Sequence, residues 1–178
     1  MNDITFRPLT REDFPLMHRW LNNDTVAAFY GVGDDNHKYP TFEEVVEEYD
    51  ADIGTNGASE GFLVLLSGRP VSYIQTYAVS AYPEYAAAID MADEDPWAID
   101  IFIGEDDARG IGLGPRIIEQ FVQEHVFSRP GVNVALLNPE PENERGRRSY
   151  EKAGFRHVKT VWIPESSSHE FVMRRDRE

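Results

Sequence analysis

The sequence contains no cysteine, which excludes disulfides, a thiolate nucleophile and thiolate metal sites together. It has no apolar run long enough to cross a bilayer, and Met1-Asn2-Asp3-Ile4 opens without the pattern of a secretory signal. These absences predict one soluble, cytoplasmic domain over residues 1–178 with no membrane contact. Internal repeats and low-complexity linkers are missing as well. The histidines, His18, His37, His125, His157 and His169, show no ligand spacing, so no metal is expected.

Basic residues are scarce in one long stretch. Between Tyr39 and Ala108 there are sixteen acidic residues and one basic residue, Arg69, which accounts for the whole net charge of −15. From Arg109 onward twelve basic residues face ten acidic ones, with Arg145, Arg147, Arg148, Lys152, Arg156 and Lys159 crowded together. One half therefore suits a cationic ligand and the other an anionic one, although acids that merely keep the chain soluble would leave the same count. Nucleic acid is disfavoured, because phosphate contacts need a larger basic face.

What the chain does have is enough apolar and aromatic content for a packed core, at 41% hydrophobic and 12% aromatic residues. Strand-like alternation over 4–9 precedes a helix start with Thr10 as N-cap, and Phe14, Met17, Trp20 and Leu21 follow at helical spacing until Asn22-Asn23-Asp24. A Gly/Asp loop runs through Asn36, and Thr41 with Glu44 forms a capping box opening an acidic helix to Tyr49. Residues 62–66 and 71–77 around Ser67-Gly68-Arg69-Pro70 predict a hairpin. The excursion 78–96 is too long for an idle connection, so it is a short helix or a loop over a site. Beyond it come strand 98–103, helix 113–126, strand 132–137, helix 143–152, and strands 155–163 and 169–174.

Between strand 98–103 and helix 113–126 lies Arg109-Gly110-Ile111-Gly112-Leu113-Gly114. Glycines at alternate positions remove the Cβ atoms that keep an anion from the backbone, and amides at a helix start favour negative charge. A plain structural turn has the same composition. Further on, Asn143 precedes Arg147-Arg148-Ser149-Tyr150-Glu151-Lys152-Ala153-Gly154-Phe155, a basic helix stopped by glycine. Asp100 stands apart as a carboxylate in an apolar strand, where burial costs several kcal/mol without a partner or a task. Alternation puts it opposite Ile99 and Ile101, beside Ala98 and Phe102. A structural acid bonded to a nearby loop remains an alternative.

The glycine loop and the Asn143 to Phe155 segment, in that order, resemble the GNAT superfamily of acetyl-CoA-dependent N-acetyltransferases over most of the chain. The resemblance implies an α/β (α+β) GNAT fold, a mixed sheet of about six or seven strands, splitting near the cofactor, with about four flanking helices. It implies acetyl-CoA as donor, held by Arg109 to Gly114, by the strand amides of Ile101, Phe102 and Ile103, and by Asn143, Arg147, Tyr150 and Lys152. With no cysteine for an acyl-enzyme, transfer would be direct. Asp100 would take a proton from the acceptor ammonium and Tyr150 would protonate the departing thiolate, unless Tyr150 is only a core aromatic.

Within the superfamily, Trp20-Leu21-Asn22, Tyr73-Ile74-Gln75-Thr76-Tyr77, Ile99-Asp100 and Ser149 to Phe155 resemble the aminoglycoside 6'-N-acetyltransferases, which implies a cationic small-molecule acceptor contacting Gln75, Tyr77 and Asp100. Two departures stand out: Asn138-Pro139-Glu140-Pro141 replaces Asp-Pro-x-Pro, and Phe29-Tyr30-Gly31 replaces Trp-Trp-Gly. Tyr30, Asn138 and Glu140 are the expected acceptor contacts there, and Asp95, with Asp90, Asp93 and Glu94, is expected to draw in the cation. Acylation of an N-hydroxylysine-type group, acetylation of a protein amine, or a non-catalytic acetyl-CoA-binding module are the competing readings. Monomer and homodimer both remain open.

Overall fold

A computed structural model describes residues 3–33, 37–53, 58–164 and 167–178, and of Ala92 only the backbone. The strands are β1 (Ile4–Pro8), β2 (Ser59–Leu66), β3 (Arg69–Ala78), β4 (Trp97–Ile103), β5 (Val134–Leu137), β6 (Arg156–Ile163) and β7 (Ser168–Asp176). They form one mixed seven-stranded sheet in the order β1-β2-β3-β4-β5-β7-β6. β1 runs antiparallel to β2, β4 parallel to β5, and β7 antiparallel to both β5 and β6. The flanking helices are α1 (Phe14–Leu21), α2 (Asp24–Ala27), α3 (Phe42–Tyr49), α4 (Pro83–Ile89), α5 (Leu113–Phe121) and α6 (Glu144–Lys152). Among the described residues that is more than the four helices expected.

The capping signals act as the sequence suggests. Thr41 N–H donates to the Glu44 carboxylate at 2.7 Å and Glu44 N–H to Thr41 Oγ1 at 3.2 Å, closing the box that starts α3. At α1, Thr10 N–H donates to Asp13 at 2.9 Å and Arg7 pairs with the same carboxylate at 2.7 Å. Asn22-Asn23-Asp24 ends α1 but also starts α2, because Asn23 Oδ1 accepts from Thr25 N–H at 3.0 Å. The Gly/Asp loop was expected through Asn36, and residues 34–36 lie outside the described residues.

Two boundaries differ from expectation, and one open choice is decided, for local reasons. The hairpin turn is Ser67-Gly68 alone, with φ of 52° and 82°, and Arg69 and Pro70 already belong to β3; two left-handed residues match the twist of the strands they join. The 78–96 excursion is helical: Pro83 at the first turn fixes a helical φ for α4, and Asp90 ends it at φ 51°. The helix beginning at Leu113 passes into a π-helical turn over Val122–Val126, a wider winding that a 3.6-residue period cannot reveal.

The chain falls into two compact units, residues 1–75 with 101–111, and residues 76–100 with 112–178. The first is cored by Leu9, Phe14, Met17, Trp20, Leu63, Tyr73 and Phe102. The second is cored by Val79, Tyr85, Ile89, Ala98, Leu136 and Val172. In the first, Gly104 lies under the Trp20 indole so closely that a Cβ there would sit 2.1 Å from the ring. Trp20 cannot retreat, because its Nε1 donates to Glu105 at 2.9 Å and its ring is fully buried. Gly104→Ala is therefore expected to cost about 2 kcal/mol or more by overpacking. Denaturant unfolding measures it, and an unchanged midpoint would show that Trp20 has room to move.

Candidate functional site

In the second unit, Asp100 is half-buried on β4. Ala98, two residues earlier and so on the same sheet face, packs in the core with Tyr85 and Ile89 of α4. The alternation expected for Asp100 thus aims its carboxylate at the side α4 covers. The register of β4 with β5 covers Trp97↔Ala135 and Ala98↔Leu136, while β4 runs on to Ile103. The ladder therefore ends just before Asp100, in line with a sheet that splits there.

Three phenols, of buried Tyr85 and Tyr150 and half-buried Tyr77, lie within electrostatic reach of this carboxylate. Burial first, and then the Asp100 charge, pushes the Tyr150 hydroxyl well above the ordinary tyrosine value. Tyr77 is raised by burial, then by Asp100, Tyr85, Glu170 and Tyr82. Tyr85 is raised by burial, then by Glu170 and Asp100. Asn138 Nδ2 donates to the Tyr85 hydroxyl, while Asn138 Oδ1 is buried with no hydrogen-bond partner among the described residues. This group of three tyrosines with Asp100, a tyrosine chamber, has a carboxylate able to take a proton and, in Tyr150, a phenol able to give one.

The sign for stability follows. A phenol whose value is raised on folding holds its proton where the unfolded chain, at about 10, begins to lose it, so stability falls as pH rises above about 10. Tyr77, Tyr85 and Tyr150 should resist ionisation in the native protein while exposed tyrosines titrate. Ultraviolet difference absorbance against pH reads this directly. Release of all eight tyrosines together near pH 10 would mean that the chamber is open to water.

The other expected residues of this unit have mixed surroundings. Gly112, at φ 78°, is the left-handed N-cap of α5, with nothing within 4 Å of where its Cβ would stand. Leu113 and Gly114 open the helix and Pro115 follows without an N–H, so the amides around 112–114 are the ones able to face an anion. Asn143 caps α6, its Oδ1 accepting from Gly146 N–H at 2.9 Å. Arg147 lies 4.7 Å over the Phe171 ring, with a buried Nε that lacks a hydrogen-bond partner among the described residues. Lys152 is exposed in the last turn of α6, and Glu140 is half-buried.

Two of the acids expected to draw in the cation have surroundings of their own. Asp95 is exposed, in a turn at φ 42° ahead of β4, and Trp97 to Asp100 alone spans about 10 Å of strand. Glu94 is held by Arg174 at 2.6 Å, and Asp176 pairs with the same guanidinium at 2.6 Å. Residues that sequence reasoning missed, Tyr85 and Glu170, supply chamber wall and charge. The visible signal for Glu170 was its alternation with Val172 in the last strand.

In the first unit, Tyr73 hydroxyl donates to Gln75 Oε1 at 2.7 Å and stands 3.3 Å from the buried Asp52, whose carboxyl is pushed up by burial. Tyr30 packs edge-on against Phe102 at 4.8 Å. Ile101 and Ile103 flank Phe102 on the closing half of β4. The Arg109 guanidinium is spent on its own loop. Nε donates to Ile103 O at 2.8 Å and Nη2 to Gly104 O at 2.8 Å, and it pairs with Asp106. It shapes the loop carrying exposed Gly110 and Ile111 rather than presenting a free cation. Among the described residues no His/Asp/Glu group has a metal-binding arrangement, and no helix is long and apolar enough to cross a membrane.

Comparison with known proteins agrees with this geometry. Residues 10–163 match the family model described as an acetyltransferase (GNAT) domain. An aminoglycoside N(6')-acetyltransferase type 1 of Klebsiella pneumoniae is 28% identical over 174 residues, covering 98% of this chain and 84% of the relative. The solved aminoglycoside acetyltransferase AAC(6')-Ib, in complex with ribostamycin and coenzyme A, superposes with a TM-score of 0.79 at 25% identity, covering 99% of this chain and 94% of the other. An uncharacterized protein from Bacillus halodurans shares the fold at a TM-score of 0.82 and 19% identity, over 98% of this chain and 84% of that one. With its family model matched over most of its length, its mixed sheet and its glycine-capped α5, the chain belongs to the GNAT acetyltransferase family.

Proposed function

We propose that the protein transfers an acetyl group from acetyl-CoA to a primary amine of a cationic small molecule, the 6'-amine of an aminoglycoside, by direct attack within a ternary complex. The observation that carries this reading is the match of residues 10–163 to the acetyltransferase (GNAT) domain, with Asp100 and the buried Tyr150 in one unit. The printed activity of the Klebsiella relative supports the acceptor, and the coenzyme A bound by the solved neighbour supports the donor.

The donor's diphosphate rests on the amides around Gly112, Leu113 and Gly114, on a loop kept in shape by Arg109, with Arg147 and Lys152 adding positive charge. Asp100 accepts a proton from the acceptor ammonium, and the freed nitrogen attacks the thioester carbon. Amides of Ile101 to Ile103 take up charge on the carbonyl oxygen. As the C–S bond breaks, Tyr150 protonates the sulfur, and loss of the second N–H proton leaves an acetamide, free coenzyme A and one proton released overall. Of the acceptor contacts that the resemblance implies, Tyr77, Asn138 and Glu140 belong to the unit of Asp100. The protein acts in this reading as one catalytic domain in the cytoplasm and needs no metal.

A thiol-release assay with acetyl-CoA tests the reading against a panel of aminoglycosides, free lysine derivatives and peptides. Release is expected with aminoglycosides. Release confined to lysine derivatives or peptides would transfer the assignment to one of those acceptors.

A further inference from the structure

The sheet register places a second carboxylate on the same face as Asp100, two strands away. Leu136 pairs with Arg174 and Leu137 with Met173, and Phe171 N–H donates to Pro139 O at 2.9 Å, which carries the β5 to β7 pairing past Asn138. Side chains alternate along a strand, so Asn138 shares the face of Leu136, and Glu170 shares the face of Val172. Leu136 and Val172 both pack in the core beneath α4 with Tyr85 and Ala98. Val161, opposite Glu170 on β6, is packed against that core as well. Asp100, Asn138 and Glu170 therefore project from β4, β5 and β7 toward one end of one face, with Tyr85 of α4 over them.

Tyr77 and Tyr85 are each held neutral by both Asp100 and Glu170, after burial, in keeping with the shared face that the register gives the two carboxylates. Arg174, on the same face of β7, is taken by Glu94 and Asp176. The buried Asn138 Oδ1, without a hydrogen-bond partner among the described residues, is an acceptor in the same row that an N–H donor would satisfy.

We infer that Glu170 is a specificity-determining residue that receives a second ammonium group of the acceptor while Asp100 acts on the first, so that the chamber selects di- and polyamines over monoamines. This rests on the proposed amine acetylation. Two strand spacings, about 10 Å, separate β4 from β7, which sets the scale over which the two nitrogens must lie. Asn138 Oδ1, between the carboxylates, accepts an N–H from the intervening part of the acceptor. A clamp of this kind acts on binding, so its signature is in KM rather than kcat.

The test measures thiol release by wild type and Glu170→Gln with an aminoglycoside, a simple diamine and a monoamine of similar size. The expected result is a KM for the aminoglycoside and the diamine that rises on the order of tenfold or more in Glu170→Gln. The monoamine KM, the kcat and the acetyl-CoA KM should stay within about twofold. Glu170→Asp should recover part of the lost affinity, which a merely structural role would not give. If Glu170→Gln does not fold, the wild type decides, since the clamp requires a diamine KM below that of the matched monoamine. Equal KM values for monoamine and diamine in the wild type, or a variant with unchanged diamine KM, would overturn the clamp while leaving amine acetylation standing. No release by the wild type with any amine would overturn both.

Discussion

Asp100→Asn is expected to lower kcat by about two to four orders of magnitude, the span that a positioned general base contributes, with acetyl-CoA affinity unchanged. Asparagine keeps the size of the side chain and its place on β4 but cannot take a proton from an ammonium. The substitution has a second readout. The Asp100 charge helps hold Tyr77, Tyr85 and Tyr150 in their neutral forms, so removing it should let buried phenols ionise at lower pH. The ultraviolet titration of the variant should shift downward. A variant that turns over near the wild-type rate would remove Asp100 from the chemistry. An unshifted titration would remove it from the chamber.

Tyr150→Phe is expected to lower kcat about a hundredfold with an ordinary thioester donor, while stability changes by about 1 kcal/mol or less, since the ring and its packing are kept. Tyr150 is 9% exposed, and its ring and backbone anchor the end of α6, where Phe155 N–H donates to Tyr150 O at 3.0 Å. Phenylalanine retains that packing. The diagnostic comparison uses an acetyl donor whose thiol is more acidic and leaves without a proton. That donor should restore most of the lost rate. Equal loss with both donors would show that the hydroxyl does not serve the sulfur and that Tyr150 is a packing residue.

The parts of the fold that were legible rest on local signals. The Thr41 and Glu44 box, the Ser67-Gly68 turn, and the alternation that faces Asp100 away from Ile99 all follow from neighbouring residues, and each is present. The helix α4 stayed undecided because its Ala-rich stretch carries no clear periodic face, and α2 was hidden because Asn23 reads as an end as much as a beginning. The π-helical turn at Val122–Val126 keeps an apolar pattern that a regular helix would also show.

The candidate site was legible where chemistry is carried by one conspicuous residue. Asp100 interrupts an apolar strand, and Tyr150 lies in a motif. Charge counting is silent on pairing, because a segment total says nothing about which acids an arginine from another strand will neutralise, as Arg174 does to Glu94. Glu170 was overlooked for the converse reason. It lies in the half whose basic residues dominate the count, yet the register of β5 with β7 brings it to the face of Asp100. Such pairings are set by contacts far apart in sequence, and Arg109, whose guanidinium turns back onto Ile103 and Gly104, shows that a motif residue can serve its loop's shape.

The most direct test of acetyl transfer to a 6'-amine compares two aminoglycosides that differ only at that position, one with an amine and one with a hydroxyl, in the thiol-release assay with product analysis. Release of thiol with the amine, an acetamide on the 6' nitrogen, and no release above background with the hydroxyl compound is the predicted result. Equal release with both compounds, or acetylation at another nitrogen, would contradict it.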